Sequence, residues 1–263
     1  MKIILSAPDL QIKQVQNTRT GPGQRNSGLE SSYGLLAPYF RAYSQKRAVY
    51  LNAVDQIICQ RILPDARSLL DVGAGDGFRA AKLSASRSLS YLVLAEPSEE
   101  MLSYCRQQPA DEVWPVAAED LPYVNQRFDV ITCLWNVLGL IESQAKRLEA
   151  LHKMRSLLSH RGQLFLDVNN RYNARTYGWL PALGRVFYDL LSPSDTNGDV
   201  SFTWRIGERH IHSYGHVFRP VEVSRLIEDA GLAINQRHVI DYQTGKHRRF
   251  TFEGQLLYEL INK

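Results

Sequence analysis

The sequence predicts an α/β protein with a doubly wound, mostly parallel sheet, and three observations predict it. Short apolar runs alternate with helical stripes from Arg67 to Asp167. The first run passes through an acid into a glycine-rich stretch, Leu69-Leu70-Asp71-Val72-Gly73-Ala74-Gly75-Asp76-Gly77. The next run, Tyr91-Leu92-Val93-Leu94-Ala95, ends in a second acid, Glu96. A strand, a tight turn and a helix start suit the glycine-rich stretch, where the glycines let a ligand lie against the backbone.

Residues 1–30 are polar and include Thr20-Gly21-Pro22-Gly23, so a flexible N-terminal arm is expected ahead of a single domain over 31–263. From Tyr33 the pattern is helical. Tyr39, Tyr43 and Tyr50, then Val54, Ile57 and Ile58, recur at helical spacings until Pro64-Asp65 stops the run, and 31–63 reads as a helical lid. The alternation then predicts strand 67–72, helix 77–86, strand 91–96, helix 98–107, strand 112–116, strand 128–134, helix 143–158 and strand 162–168. Ser98 caps the second of these helices, with Glu99 and Glu100 in its first turn. Strands separated by helices imply parallel pairing through right-handed crossovers. After Asn170 the rhythm breaks. Residues 171–217 form an insertion expected on the substrate side, irregular or helical to 200 and then a hairpin turning at Gly207-Glu208. Glu222 to Ala230 is amphipathic and closes with Gly231. Last strands are expected at 233–241 and 250–261.

At 263 residues and 44% hydrophobic content the chain is long and apolar enough for one sizeable core. A net charge of +4 is mild and scattered, so it permits a nucleic-acid partner without implying one. Cys59, Cys105 and Cys133 lack metal-type spacing and read as reduced thiols. No segment reaches the roughly 18 consecutive apolar residues that span a bilayer. A soluble, cytoplasmic protein without a membrane partner is expected, as monomer or homodimer.

The glycine spacing narrows the ligand. A dinucleotide fingerprint is G-x-G-x-x-G, and here the third glycine comes one residue early. A pyrophosphate prefers bare amides and a basic neighbour. This turn carries Asp71 and Asp76, with Arg79 the nearby cation. Carboxylates suit a ligand with positive groups, such as the ammonium and sulfonium of S-adenosylmethionine. Glu96 stands where an acid can bind both ribose hydroxyls.

These residues resemble those of the class I S-adenosylmethionine-dependent methyltransferases, over roughly Tyr33 to the C-terminus. The resemblance implies a Rossmann-like sheet of seven strands with one antiparallel member. It also implies S-adenosylmethionine as cofactor, S-adenosylhomocysteine as product, and no metal. Asp71, Gly73, Ala74, Gly75 and Gly77 match the family's first motif, and Glu96 its ribose-binding acid, followed by Pro97. Ala117-Ala118-Glu119-Asp120-Leu121-Pro122-Tyr123 resembles the adenine-side loop, placing Ala118 and Glu119 at the ring. Ala117 stands where an Asp often meets the adenine amino group, so backbone amides near Ala118 and Glu119 are left to hold the ring edge. Phe128-Asp129-Val130-Ile131 resembles the fourth strand, with Leu134 at its cofactor end, and Gly162 to Asp167 the fifth.

Methyl transfer from a sulfonium is an in-line displacement, so holding the acceptor in line supplies much of the catalysis. A base is needed only if the acceptor still carries a proton that must leave. Ligands in such sheets lie beyond the carboxyl ends of the strands. Trp135 reads as a wall of the acceptor pocket or as core, and Asn136 as an orienting group or a cap. Asn169, Asn170 and Tyr172 read as acceptor contacts or, for the asparagines, as turn residues. His210, His212, Tyr214 and His216 share one face of a strand. His212 is the preferred general base and His216 the reserve, against plain strand histidines. No Cys or acid-rich set nearby completes a metal site. Tyr33, Tyr39 and Tyr43 read as a lid contacting acceptor and cofactor, with Arg41 or Arg47 for the methionine carboxylate, or as helical core. The expected function is methyl transfer to an oxygen or nitrogen of a small molecule, the aromatic insertion favouring an enclosed acceptor. An RNA methyltransferase is the alternative, on Arg205, Arg209 and the Lys246-His247-Arg248-Arg249 run. A catalytically silent S-adenosylmethionine-binding protein and a nicotinamide oxidoreductase are further readings, the latter opposed by the acidic loop.

Overall fold

The computed structural model describes residues 5–7, 10–14, 32–206 and 208–263. Its strands are β1 (Leu5–Ala7), β2 (Leu10–Gln14), β3 (Ser68–Val72), β4 (Tyr91–Ala95), β5 (Glu112–Trp114), β6 (Phe128–Cys133), β7 (Leu158–Val168), β8 (Asp199–Ile206), β9 (Arg209–His216), β10 (Leu232–Ile240), β11 (His247–Arg248) and β12 (Gln255–Asn262). The main sheet runs β11-β10-β12-β7-β6-β3-β4-β5. From β7 to β5 all pairs are parallel, whereas β12 is antiparallel to both β7 and β10.

This is the doubly wound α/β sheet the alternation predicts, with one strand more than seven. The addition is β11, two residues antiparallel to β10. A tight turn makes it possible: the Asp241 carboxylate accepts from Gln243 N and Thr244 N, and Gly245 takes φ +66°. The last strand starts at Gln255 rather than 250, because Thr251–Glu253 form a 3-10 turn.

Period-two burial places the core on both sheet faces. Leu69, Leu92, Leu94, Val130 and Phe165 face the helices Ala48–Arg61 and Phe78–Arg87. Leu70, Val93, Ile131, Leu164 and Leu166 face Gln144–Leu157 and Pro220–Asp229. Both helix layers thus lock the register of the strands whose carboxyl ends build the site.

A second, antiparallel sheet runs β1-β2-β8-β9. The hairpin within the insertion begins at Asp199, and Gly207 of its expected turn lies outside the described residues. Of the expected arm over 1–30, the described residues are strands, with Leu10 to Gln14 paired along β8; the remainder lies outside the described residues. Leu36, Trp204 and Ile211 form a third small core where this sheet meets the lid segment. Among the described residues, no helix is long and apolar enough to cross a membrane.

Candidate active site

Beyond β3 the backbone takes positive φ at Gly73 (+72°), Gly75 (+59°) and Gly77 (+70°), conformations that glycine adopts without strain. The loop is tied to the end of β4: Gly73 N and Ala74 N donate to the Ala95 carbonyl at 2.8 and 3.0 Å. Gly75 N donates to Glu96 Oε2 at 2.8 Å, and Ser98 N to Glu96 Oε1 at 3.0 Å. Glu96 is buried, and that burial pushes its pKa up to about 7 against those two amides. Burial likewise lifts Asp71 to about 6, although Thr132 Oγ1 donates to Asp71 Oδ1 at 2.6 Å and the Arg79 charge opposes the rise. Two carboxylates held this way gain from a ligand that brings positive charge or hydroxyl donors.

One cleft at the carboxyl ends of the strands is lined by Asp71, Gly73, Ala74, Gly75, Glu96, Pro97, Ala118, Glu119 and Leu134. Gly77 alone of the proposed cofactor set is off its wall. It caps the helix Phe78–Arg87, where a Cβ would meet Leu94 Cδ1 at 2.7 Å, so its role is packing. Asp76 is bound by Arg41, Nε to Oδ2 at 2.7 Å, and the Arg41 guanidinium lies 3.6 Å from the Phe78 ring centroid. Arg79 is paired with Asp55 at 2.6 Å. The donor set therefore fits S-adenosylmethionine. Buried carboxylates suit its hydroxyl and cationic groups, glycine backbone allows close approach, and Leu134, Val137, Leu140 and Ile141 give an apolar wall.

The lid closes on this cleft through Tyr33, Phe40, Arg41 and Ser44. Phe40 sits on the glycine loop, its Cζ 2.9 Å from where a Gly75 Cβ would stand. Tyr43 stacks on Trp135 with centroids 5.6 Å apart at 21°, and Phe40 approaches the same indole at 5.8 Å. Trp135 lines the cleft on one side and packs against the core on the other. Phe40 joins the lid aromatics although it is not a tyrosine, and its place three residues before Tyr43 puts both on one helical face.

Trp135 and Asn136 have φ of +57° and +66°, unusual for non-glycine residues and concentrated here beside the cleft. Asp167 holds them: its Oδ2 accepts from Trp135 N at 3.0 Å, its carbonyl from Asn136 N at 3.0 Å, and its Oδ1 from Tyr50 Oη at 2.6 Å. Asn136 is buried and acts as a staple. Its Nδ2 donates to the His216 carbonyl at 3.1 Å and its Oδ1 accepts from Asn169 N at 2.9 Å. It points away from an acceptor for that reason.

Other acceptor-side expectations are corrected in the same way. Asn169 is absent from the cleft wall, and its backbone carbonyl accepts from Phe218 N. Tyr172 Oη donates to Asp189 at 2.9 Å beneath the insertion helix, and Tyr39 is half-buried off the cleft wall. His216 is fully buried with both ring nitrogens engaged, Nδ1 with Asp199 and Nε2 with Glu222, each at 2.8 Å. No nitrogen is left to take a proton from an acceptor. His212 lies on the exposed face of β9, bonded to Thr203 Oγ1 at 2.9 Å, because Ile211 and Ser213 fill the buried face. Among the described residues, no group of three His, Cys, Asp or Glu could hold a metal ion.

Residues 69–162 match the family model of a methyltransferase domain. No curated protein matches the chain. Similar solved structures include the CcbJ methyltransferase of Streptomyces caelestis, 18% identical with a TM-score of 0.62 over 80% of this chain and 89% of that one. CalS10 of Micromonospora echinaspora, an amino pentose methyltransferase with S-adenosylmethionine bound, is 18% identical with a TM-score of 0.55 over 84% and 95%. The Burkholderia thailandensis 1,6-didemethyltoxoflavin-N1-methyltransferase, holding 1,6-didemethyltoxoflavin and S-adenosylhomocysteine, is 15% identical with a TM-score of 0.63 over 98% and 97%. Residues 69–162 thus match a methyltransferase domain, and the chain shares the fold of these solved methyltransferases.

Proposed function

We propose that this enzyme methylates a nitrogen or oxygen of a small organic acceptor held under the aromatic lid. The observation that carries the reading is the aromatic wall beside the glycine loop, Phe40 against Gly75 and Trp135 backed by Tyr43, which gives the cleft an apolar face beside the carboxylates. The similar structures include proteins acting on an amino pentose and on 1,6-didemethyltoxoflavin, both small molecules. Arg205 and the 246–249 run, which motivated the RNA alternative, are absent from the cleft wall.

In this reading Glu96 takes the ribose hydroxyls, Asp71 faces the cationic end, and Pro97, Ala118, Glu119 and Leu134 enclose the base. The cofactor supplies an electrophilic methyl on a sulfonium whose departure leaves a neutral thioether. Trp135, held by Asp167, and the lid exclude water and keep the acceptor atom in line, so orientation is the chain's main contribution. Neither His212 nor His216 is a base in this scheme; an acceptor nitrogen attacks with its own lone pair, or an acidic hydroxyl as its anion.

The test is S-adenosylhomocysteine formation from S-adenosylmethionine with panels of small amines, phenols and sugars and with total RNA. Turnover confined to small acceptors is expected. Transfer to RNA that falls steeply with salt would overturn the acceptor class. Thermal shifts provide the cofactor arm: S-adenosylhomocysteine stabilises the protein, NAD does not, and Glu96→Ala weakens the shift.

A further inference from the structure

The helix Trp179–Leu191 is turned inside out. Its ionic side chains, Arg185 and Asp189, are 5% and 4% exposed, whereas Leu180, Leu183, Phe187, Leu190 and Leu191 are between 49% and 85% exposed. A surface helix normally turns such a stripe toward the core. Here specific polar bonds set the orientation instead. Asp189 accepts from Arg171 Nε and Nη2 at 2.7 and 3.1 Å, from Tyr172 Oη at 2.9 Å and from Asn197 Nδ2 at 3.0 Å. Arg185 Nη1 donates to the Arg171 carbonyl at 3.0 Å. A buried ion pair is costly to desolvate, so its use to hold an apolar face in solvent points to a surface that is covered when the protein works.

The border of this face says by what. Trp179 packs on Phe252 at 5.0 Å between centroids, and Phe252 stacks on Phe250 at 5.4 Å and 4°. Phe250 is half exposed and directly follows the Lys246-His247-Arg248-Arg249 run, with Arg249 5.6 Å from its ring. Asp241 pairs with both Arg248 and Arg175, and Glu253 keeps its charge while accepting from Phe250 N. With exposed Lys246 and Arg249 added, four cations stand against two acids, and the border is net positive. A stripe of Leu, Phe and Trp bordered by unneutralised cations matches an anionic bilayer surface better than a second copy carrying the same charges.

We infer that the face of Trp179–Leu191, extended by Phe250 and Phe252, docks on an anionic lipid bilayer, the basic run meeting the headgroups. A helix of 13 residues is about 20 Å long, so it lies in the interface and does not span. The inference is independent of which acceptor the cleft takes.

Sedimentation of the full chain with vesicles tests it, using phosphatidylcholine alone or with roughly one-third phosphatidylserine. Binding about tenfold stronger to the anionic vesicles, weakened by salt, is expected. The exposed double variant Leu180→Glu/Phe187→Glu loses about tenfold or more. Lys246→Gln/Arg249→Gln loses about fivefold per cation, on anionic vesicles only. Stabilisation by S-adenosylhomocysteine reports that each variant is folded. If that ligand stabilises none of them, wild type included, the cleft assignment fails while the vesicle result stands. Absence of wild-type binding to anionic vesicles, or unchanged binding by Leu180→Glu/Phe187→Glu, overturns the proposal. So does a wild-type dimer that ignores vesicles and is dissociated by the same double variant, which assigns the face to a second copy.

Discussion

In the proposed cofactor site, the proton affinities of Glu96 and Asp71 make binding pH-dependent in a defined direction. Both are raised, to about 7 and about 6, chiefly by burial. The ligand needs the ionised forms, so below pH 6 both must lose a proton for it to bind, and above pH 8 neither must. Affinity for S-adenosylhomocysteine therefore climbs from pH 5.5 to 8 and then levels, with net proton release near pH 7. Calorimetry in two buffers of different ionisation enthalpy measures that proton directly. Glu96→Gln flattens the profile and lowers affinity at pH 8 by about tenfold, the equivalent of about one pKa unit. An affinity constant between pH 6 and 8 in the wild type would refute this account.

His216 joins three elements rather than serving the chemistry. Asp199 at the start of β8, His216 at the end of β9 and Glu222 in the helix Pro220–Asp229 meet around one fully buried imidazole. Gly198 leaves room for it, since a Cβ there would lie 2.5 Å from the ring. His216→Ala takes their shared donor from buried Glu222 and part-buried Asp199 and should cost about 3–5 kcal/mol in urea unfolding. Any turnover lost then tracks stability. His212→Ala, on the exposed strand face, leaves turnover within about twofold. A large loss of turnover in a stable His212→Ala protein would restore that residue as base. These elements also show what a sequence can carry. Leu69 and Leu70 announce two buried faces by adjacency, and Asp71 with Glu96 announce the cleft by their places at strand ends. Asn136, His216 and the insertion helix were not legible, because their partners are distant in the chain: the Asn136 amide meets a carbonyl 80 residues on, and Asp189 meets Arg171 outside the helix's own period. Period and composition report a local surface, not which remote polar group turns it inward.

Across the whole molecule, the lid and the second sheet share one core, and the cleft reads both. Trp204 of β8 is 3% exposed and meets Tyr33 edge-on at 5.1 Å, Phe202 at 5.1 Å and Tyr43 at 6.3 Å. Ser32 Oγ donates to Ser213 Oγ of β9 at 3.2 Å, and Leu36 and Ile211 complete the cluster. Tyr33 and Phe40 face the cleft from that same cluster. A ligand that settles these rings also settles the hairpin behind them, although Trp204 lies off the cleft wall. Hydrogen exchange is the measurement. S-adenosylhomocysteine should slow exchange over 33–45 and over 199–216 together, by similar factors, because one cooperative unit opens both. Trp204→Ala empties a site of indole size, typically about 3–5 kcal/mol of packing. In that variant the ligand should still slow exchange along the glycine loop and Glu96 while its effect on 199–216 disappears, with affinity falling although no cleft-lining side chain has changed. Protection of the lid without the hairpin in the wild-type protein would show two independent units and remove the coupling.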